Sequence, residues 1–471
     1  MCDIDTIYID GQFVTPKGTG TADLYNPSTE ERIGTVRLGG VEDARDAVAA
    51  AKRAFPAFSR TTKGERIDML KRLNAVVAAR VSDLTEAMSL EYGAPQTFTR
   101  FAISHAASSF LTMASVLEEY EFERRMGRAR VVMQPIGVAA AITPWNSNIG
   151  FITSKLTTAI AAGSTIVIKP SEMSAVQTQA LTECLHEAGL PKGVFNIVNG
   201  LGNVVGAELS RHPDIAKVTF TGSTAVGREI LRSAADTFKR VTLELGGKGP
   251  NIILDDADLE VAIPAVLRMG FINSGQACIA GTRILVPNHR LDEVVTRLKR
   301  EIETFKVGAP DDPDAMIGPM VSRKQYDRVQ SYIELGMQEG ASLLTGGLGH
   351  PAGLDRGWFT KPTIFTNVDN QMRIAREEIF GPVLSVIAYR DEDEAVSIAN
   401  DTPYGLQAYL HGTDVTRMQA LADRLDCGRV VVNGAPHEPL APFGGFKQSG
   451  IGREYGVFGL EAFLEPKAVI L

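Results

Sequence analysis

Cysteine is scarce in this chain of 471 residues. There are four, Cys2, Cys184, Cys278 and Cys427, far apart and without Cys-x-x-Cys spacing. That argues against a disulfide framework or a zinc–thiolate site and fits a reducing, cytoplasmic setting. The seven histidines are scattered without metal-ligand spacing, so no metal is expected. A basic excess is lacking too. The 48 Lys and Arg against 56 Asp and Glu give a net charge of −8, which leaves no footprint for nucleic acid. No apolar run is long enough to cross a bilayer, so no membrane partner is expected. Met1-Cys2-Asp3-Ile4-Asp5 carries acid where a signal peptide would carry base and then an apolar run. Internal repeats and low-complexity stretches are absent as well.

What the chain does have is length and alternation. Its size allows roughly two to four domains at ~100–200 residues each. Asp43 to Phe55 and Glu65 to Val81 space their apolar residues as helices do. From Gly137 the pattern changes. Strand-like runs at 137–142, 165–168, 194–198, 217–220 and 241–245 alternate with helical segments at 151–162, 175–188 and 224–235. Such β-α alternation predicts an α/β fold, a parallel sheet covered by helices on both faces. A second α/β unit starts near Lys248, with strands at 252–254, 283–286, 383–388 and 429–432 and helices at 257–268 and 323–339. Sheets of this kind bind ligands at the carboxyl ends of their strands. Asn146, Lys169, Gly222 and Glu244 each fall at or just after such an end.

Cys278 follows the small-residue loop Gly275-Gln276-Ala277. A lone cysteine there suggests a nucleophile, although buried inert cysteines are commoner. Glu244 ends a strand and enters Gly246-Gly247, which suits a base beside a closely approached ligand better than a surface carboxylate. Asn146 in Pro144-Trp145-Asn146 offers an amide donor to an oxyanion, or else is a turn asparagine. Phe220-Thr221-Gly222-Ser223-Thr224-Ala225-Val226-Gly227 reads as strand, glycine turn and helix start, a site for a pyrophosphate or simply a cap.

Together these motifs resemble the aldehyde dehydrogenase superfamily, from about Tyr8 to Leu471. The resemblance implies a Rossmann-like cofactor domain at 1–118 and 137–246, a second α/β catalytic domain at 247–455, and a small β oligomerisation element at 119–136 and 456–471. It implies an NAD-dependent oxidation of an aldehyde through a Cys278 thioester, with Asn146 holding the oxyanion, Glu244 activating water and Lys155 close by. Lys155 reads equally well as a helix-surface lysine. The cofactor residues implied are Trp145, Lys169, Ser171, Glu172, Gly222, Ser223, Gly227, Leu245, Gly246, Glu378 and Phe380. Glu172 would repel a 2′-phosphate, which favours NAD over the alternative, NADP. Phe380 could equally be plain core. The family's usual Phe-Pro after Asn146 is replaced by Ser147-Asn148.

By matching positions, the substrate pocket should be lined by Phe151, Ser154, Ala277, Ile279, His437 and Phe443. No arginine stands among these six, so a neutral aliphatic or aromatic aldehyde of medium to large size is expected. His437 could bind a substrate hydroxyl or carboxylate, or face solvent. The product should be the free acid, since CoA-acylating members usually lack the glutamate. An acylating dehydrogenase and a silent binding protein are the rival readings. A strand-like C-terminal segment implies a homodimer or homotetramer.

Overall fold

In the computed structural model, which describes residues 2–470, two large sheets dominate. The first has five parallel strands in its middle, Arg240–Glu244, Lys217–Thr221, Val138–Ile142, Thr165–Lys169 and Phe195–Ile197, in that order across the sheet. Ile7–Ile9 and Gln12–Val14 extend one edge antiparallel. At the other edge Gly450–Ile451 pairs antiparallel with Leu243 and Glu244. The first sheet therefore takes an edge strand from inside 247–455. The second sheet is parallel apart from its Ser342–Thr345 edge, with Pro250–Ile253 and Arg283–Pro287 near its centre.

The expected elements form for legible reasons. Val138–Ile142 and Thr165–Lys169 are buried along their whole length, as central parallel strands must be. Ser223 caps Thr224–Ala235, with the Val226 N–H donating to its hydroxyl at 3.4 Å. Gly163, at φ +82°, ends Asn148–Ala162 in the left-handed conformation. Asn148 stands at the start of that helix, fully buried. It accepts from the Thr143 hydroxyl at 3.0 Å and donates to Thr178 at 2.7 Å.

Several helices go beyond the expected set, among them Val81–Tyr92, the 24-residue Gln96–Glu119 and Leu291–Glu301. The charged segment after Gln96–Glu119 forms the hairpin Glu123–Met126 and Ala129–Pro135, and Leu464–Ile470 pairs antiparallel with its second strand. Between strand and site, Leu460 and Phe463 are buried in the core shared with Asn148–Ala162. Residues 456–463 therefore pack into the first unit as well as leading to the three-stranded sheet.

Candidate active site

Glu244 ends its strand with its side chain only 2% exposed, and neither carboxylate oxygen has a hydrogen-bond partner. Burial holds its pKa well above the usual carboxylate range. The Glu454 carboxylate adds to the rise, against the opposing charges of Lys155 and Arg453. The backbone beside it must be bare, because a Cβ at Gly444 would lie 2.8 Å from Glu244 Oε1. Lys155, also buried, forms an ion pair with Glu454, whose Oε1 also accepts from the Thr219 hydroxyl at 3.2 Å. The surface reading of Lys155 is therefore corrected: its helix turns it inward to a carboxylate.

Cys278 follows a turn in which Asn273, Ser274 and Gly275 are all left-handed, at φ +52°, +58° and +73°. Two non-glycine residues in that region carry strain that the surroundings must hold. Asn273 Nδ2 donates to the Asn146 carbonyl at 2.8 Å and to the Gln276 carbonyl at 3.2 Å. Asn146 Nδ2 donates to the same Gln276 carbonyl at 2.9 Å. Gln276 is anchored in turn, accepting from Val321 N at 3.0 Å and donating to the Pro319 carbonyl at 3.2 Å. Asn146 and the Cys278 loop are thus one hydrogen-bonded unit. Burial pushes the Cys278 thiol up to about 12, the Glu378 and Glu244 carboxylates adding to it. The N–H groups of Cys278 and Ile279 pull the other way.

The paired glycines after Glu244 touch both sides. A Cβ on Gly247 would lie 2.2 Å from the Cys278 carbonyl oxygen, and one on Gly246 would lie 2.7 Å from Glu378 Oε2. Gly247 N donates to Glu378 Oε1 at 2.9 Å. Burial raises the Glu378 carboxyl to about 7, with Lys248 and Arg328 opposing. Arg328 donates to the Glu378 carbonyl at 2.6 Å and Gln325 to the Phe380 carbonyl at 2.7 Å, which clamps a turn where Phe380 has φ +65°. The Trp145 and Phe380 rings meet edge to face at 5.4 Å.

At the neighbouring strand ends, Lys169 Nζ lies 3.5 Å from Glu172 Oε2, and Ser171 accepts from Met173 N at 3.3 Å. Gly227 admits the Leu245 side chain, which would meet a Cβ there at 2.7 Å. Gly222 is required by Phe220, whose ring would lie 2.4 Å from an added Cβ. The Thr221 hydroxyl beside it is buried without a partner. Thr224 donates to the Gln448 carbonyl at 3.3 Å, tying the helix start to the segment just before Gly450–Ile451. A solvent-facing helix N-terminus, an orphaned hydroxyl and a Lys–Glu pair at adjacent strand ends make a donor set that fits a dinucleotide.

On the far side of Cys278, Ala277 and Ile279 are half-buried, and the Ile279 carbonyl accepts from Tyr409 at 2.7 Å. Phe443 and His437 both pack on Tyr455, with ring centroids 5.6 and 5.7 Å apart. Phe151 is half-buried, its carbonyl accepting from Ser154 Oγ at 3.2 Å. Ser154 also borders the cavity that holds Lys155 and Glu454. An arginine does reach this region, although none was expected among the six pocket positions. Arg429 Nη2 lies 2.7 Å from His437 Nδ1. Arginine can only donate, so Nδ1 accepts and the proton of the neutral ring sits on Nε2. His437 itself is exposed, as its solvent-facing reading expects, and partial loss of hydration together with the Arg429 charge lowers its pKa.

Sequence reading missed Gln325, Arg328, Asn273, Arg429, Glu454 and Tyr455. The one usable signal was Asn273-Ser274-Gly275, a run of turn residues. Among the described residues no group of three or more His, Cys, Asp or Glu is placed to hold a metal ion. No described helix is long and apolar enough to cross a membrane.

Comparison with known proteins agrees with this architecture. The chain is 47% identical to a 3-succinoylsemialdehyde-pyridine dehydrogenase from a Pseudomonas species, covering 100% of this chain and 99% of that one. It superposes with a TM-score of 0.98 on a cysteine-to-alanine variant of aldehyde dehydrogenase C from Pseudomonas syringae, solved with NAD+ and octanal. The two are 44% identical over 99% of this chain and 96% of that one. An aldehyde dehydrogenase from Bartonella henselae gives a TM-score of 0.97 at 40% identity, with 100% of both chains covered. The model of the Aldehyde dehydrogenase family matches residues 13–469. With that match spanning nearly the whole sequence, the chain belongs to the aldehyde dehydrogenase family.

Proposed function

We propose that this enzyme oxidises a neutral, medium-to-large aldehyde to the free carboxylic acid with NAD, through a thioester on Cys278. One observation carries the reading. Glu244 is a buried carboxyl with two unpartnered oxygens, and the Gly247 just after it packs against the Cys278 carbonyl. A stranded carboxyl of that kind is costly unless it serves as a base.

Cys278 Sγ bonds to the aldehyde carbon as its proton leaves, Glu244 being the nearby acceptor. The carbonyl electrons move onto oxygen, where Asn146 Nδ2 and the Cys278 N–H hold the charge. Asn273 fixes Asn146 for this task by gripping its carbonyl. Lys169, Ser171, Glu172, Gly222 and Ser223 would hold one half of the cofactor, and Gly246, Glu378, Trp145 and Phe380 the other. When bound, NAD supplies the hydride acceptor that turns the thiohemiacetal into the thioester. NAD is preferred over NADP because the Glu172 carboxylate stands beside Lys169, and neighbours were solved with NAD+. Once the proton taken from the thiol has passed on to solvent, Glu244 takes a proton from water, the water oxygen bonds to the acyl carbon, the C–S bond breaks, and the acid leaves as Glu244 returns that proton to the sulfur.

The substrate reading rests on the apolar residues among the expected pocket positions, Phe151, Ala277, Ile279 and Phe443, and on the octanal and pyridine-semialdehyde relatives. Intact-mass measurement after mixing with NAD and octanal tests the mechanism. Glu244→Gln should accumulate an octanoyl adduct on Cys278, and Cys278→Ala should show neither adduct nor NADH. NADH turnover by Cys278→Ala would refute it.

A further inference from the structure

Two central strands of the first sheet are polar where a buried parallel strand should be apolar. Val218, Phe220, Val241 and Leu243 point to one face and join a hydrophobic core. The residues between them share the other face. They are Lys217, Thr219 and Thr221 on one strand, paired in register with Arg240, Thr242 and Glu244 on the next. Lys217, Thr219, Thr221, Thr242 and Glu244 are all buried. The face therefore carries a polar column that starts at Glu244 and ends at Arg240, whose guanidinium meets Glu465 at 2.6 Å in the open.

The column is connected. Lys217 Nζ bonds to the Thr242 hydroxyl at 2.6 Å and lies over the Phe463 ring at 4.8 Å. Thr219 bonds to Glu454, which pairs with Lys155. Beside Glu454 and Thr242 is a cavity whose lining includes Lys155, Thr158, Thr219 and Phe463, and which Lys217 reaches through its bond to Thr242. It admits the centre of a water-sized sphere over about 10 Å³, space for one water with several polar partners. A lysine buried against one hydroxyl and a ring is an expensive way to fill a core, and a methionine would pack there at no such cost. Burial holds its amine down to about 7. The charged groups that face it are Glu454 and Glu465, which favour its protonation, and Lys155 and Arg240, which oppose it.

We propose that Lys217 is the inner relay of a proton exit that runs down this sheet face from Glu244 to the Arg240–Glu465 end. The proposal rests on Glu244 being the base of thioester hydrolysis. Each turnover leaves a proton on Glu244, whose carboxyl is buried away from solvent. That proton passes to Glu454, which Lys155 steadies, and on through a water that the cavity has room for and the Thr242 hydroxyl to the Lys217 amine. Lys217 releases it towards the solvent at Arg240 and Glu465. At each hop one O–H or N–H bond breaks as another forms, and no electrons are transferred. Lys217 touches no reacting atom, so it is a positioning and relay residue.

The test uses p-nitrophenyl acetate, which acylates a thiol without any cofactor, so that the acylation burst and the later deacylation are read separately. Lys217→Met and the near-isosteric Thr242→Val should keep the burst. Both should slow deacylation on the order of tenfold, below the ~10²–10⁴ carried by direct acid–base catalysis. Both should also enlarge the D2O effect on that step. Lys217→Arg should stay slow, because a guanidinium holds its proton. Deacylation at the original rate in Thr242→Val or Lys217→Met, or full recovery in Lys217→Arg, overturns the relay. Glu244→Gln separates the two readings. If it blocks deacylation while the Lys217 variants do not, only the relay fails. If it deacylates normally, the base assignment fails and the relay with it.

Discussion

Replacing Gly247 by alanine should cripple the chemistry while leaving the fold intact. The added Cβ would lie 2.2 Å from the Cys278 carbonyl oxygen, 3.3 Å from its carbon and 3.5 Å from Leu406 Cβ. Moving the first contact out to 3.0 Å displaces that carbonyl by about 0.8 Å. The carbonyl belongs to backbone anchored through Gln276, Asn273 and Asn146, so it cannot swing aside alone. The thiol and the Cys278 N–H must move with it. A displacement near 1 Å costs ~10²-fold in rate, or about 2.7 kcal/mol of activation free energy. Overpacking of this kind costs ~1–3 kcal/mol of stability. Gly246→Ala is the control. Its Cβ would meet the Glu378 carboxylate at 2.7 Å, the far end of a side chain, and the shift required is about 0.3 Å. Steady-state and burst kinetics with NAD and octanal, with calorimetric melting alongside, should show a roughly hundredfold fall in kcat for Gly247→Ala. Gly246→Ala should act mainly on the affinity for NAD. Unchanged kcat in Gly247→Ala would refute the rigid coupling of Gly247 to the cysteine loop.

The acyl-enzyme should hydrolyse faster as pH rises. The folded-state pKa of Glu244 is raised, so its basic form gains population only as pH climbs through that raised value, and a flat deacylation profile from acid to mildly alkaline pH would count against it. Arg283→Met should lower stability by about 3 kcal/mol or more, seen by urea denaturation, because it strips donors from the Lys248, Ile398 and Ala399 carbonyls and from Asn370 Oδ1 in the core. Arg429→Ala should free His437 Nδ1 and let the ring change tautomer. KM should rise for aldehydes with a remote carbonyl, while a plain alkanal such as octanal is little affected; equal effects on both would dissociate His437 from substrate choice.

The first sheet was legible because Val138–Ile142 and Thr165–Lys169 are buried along their length and read as largely apolar runs, while Lys217–Thr221 and Arg240–Glu244 keep one apolar face. The helix Thr224–Ala235 and the strand Arg429–Val432 stand at their expected residues. The family motifs also led to Asn146, Glu244, Cys278 and Glu378, which the fold does bring together. What stayed hidden came from elsewhere in the chain. Glu454, Tyr455 and Arg429 reach the site from loops and strand ends that carry no periodic signal. Gln325 and Arg328 sit on an amphipathic helix, where a polar side chain looks like solvent-facing surface until the Phe380 turn is seen beneath it. Gln407–His411 escaped notice because its interior is paid for by hydrogen bonds, with His411 bonded to Asn251 at 2.9 Å rather than packed as an apolar residue.

The strand Gly450–Ile451 lies beside the strand that ends in Glu244, more than two hundred positions earlier in the sequence. Ser449 bridges the two, accepting from Leu245 N at 2.9 Å through its carbonyl and donating from its hydroxyl to the Gly246 carbonyl at 2.6 Å. A nascent chain that has emerged only as far as residue 300 already contains Asn146, Glu244 and Cys278. It lacks the neighbour that straightens the glutamate's strand and the carboxylate and lysine-pairing partner at 454. Loops this long close slowly, since the entropy must be met before the contact forms. On the proposed mechanism the Cys278 thiol should therefore pass through synthesis unarmed, and competence should arrive late and all at once, as a property of the finished molecule rather than of either half.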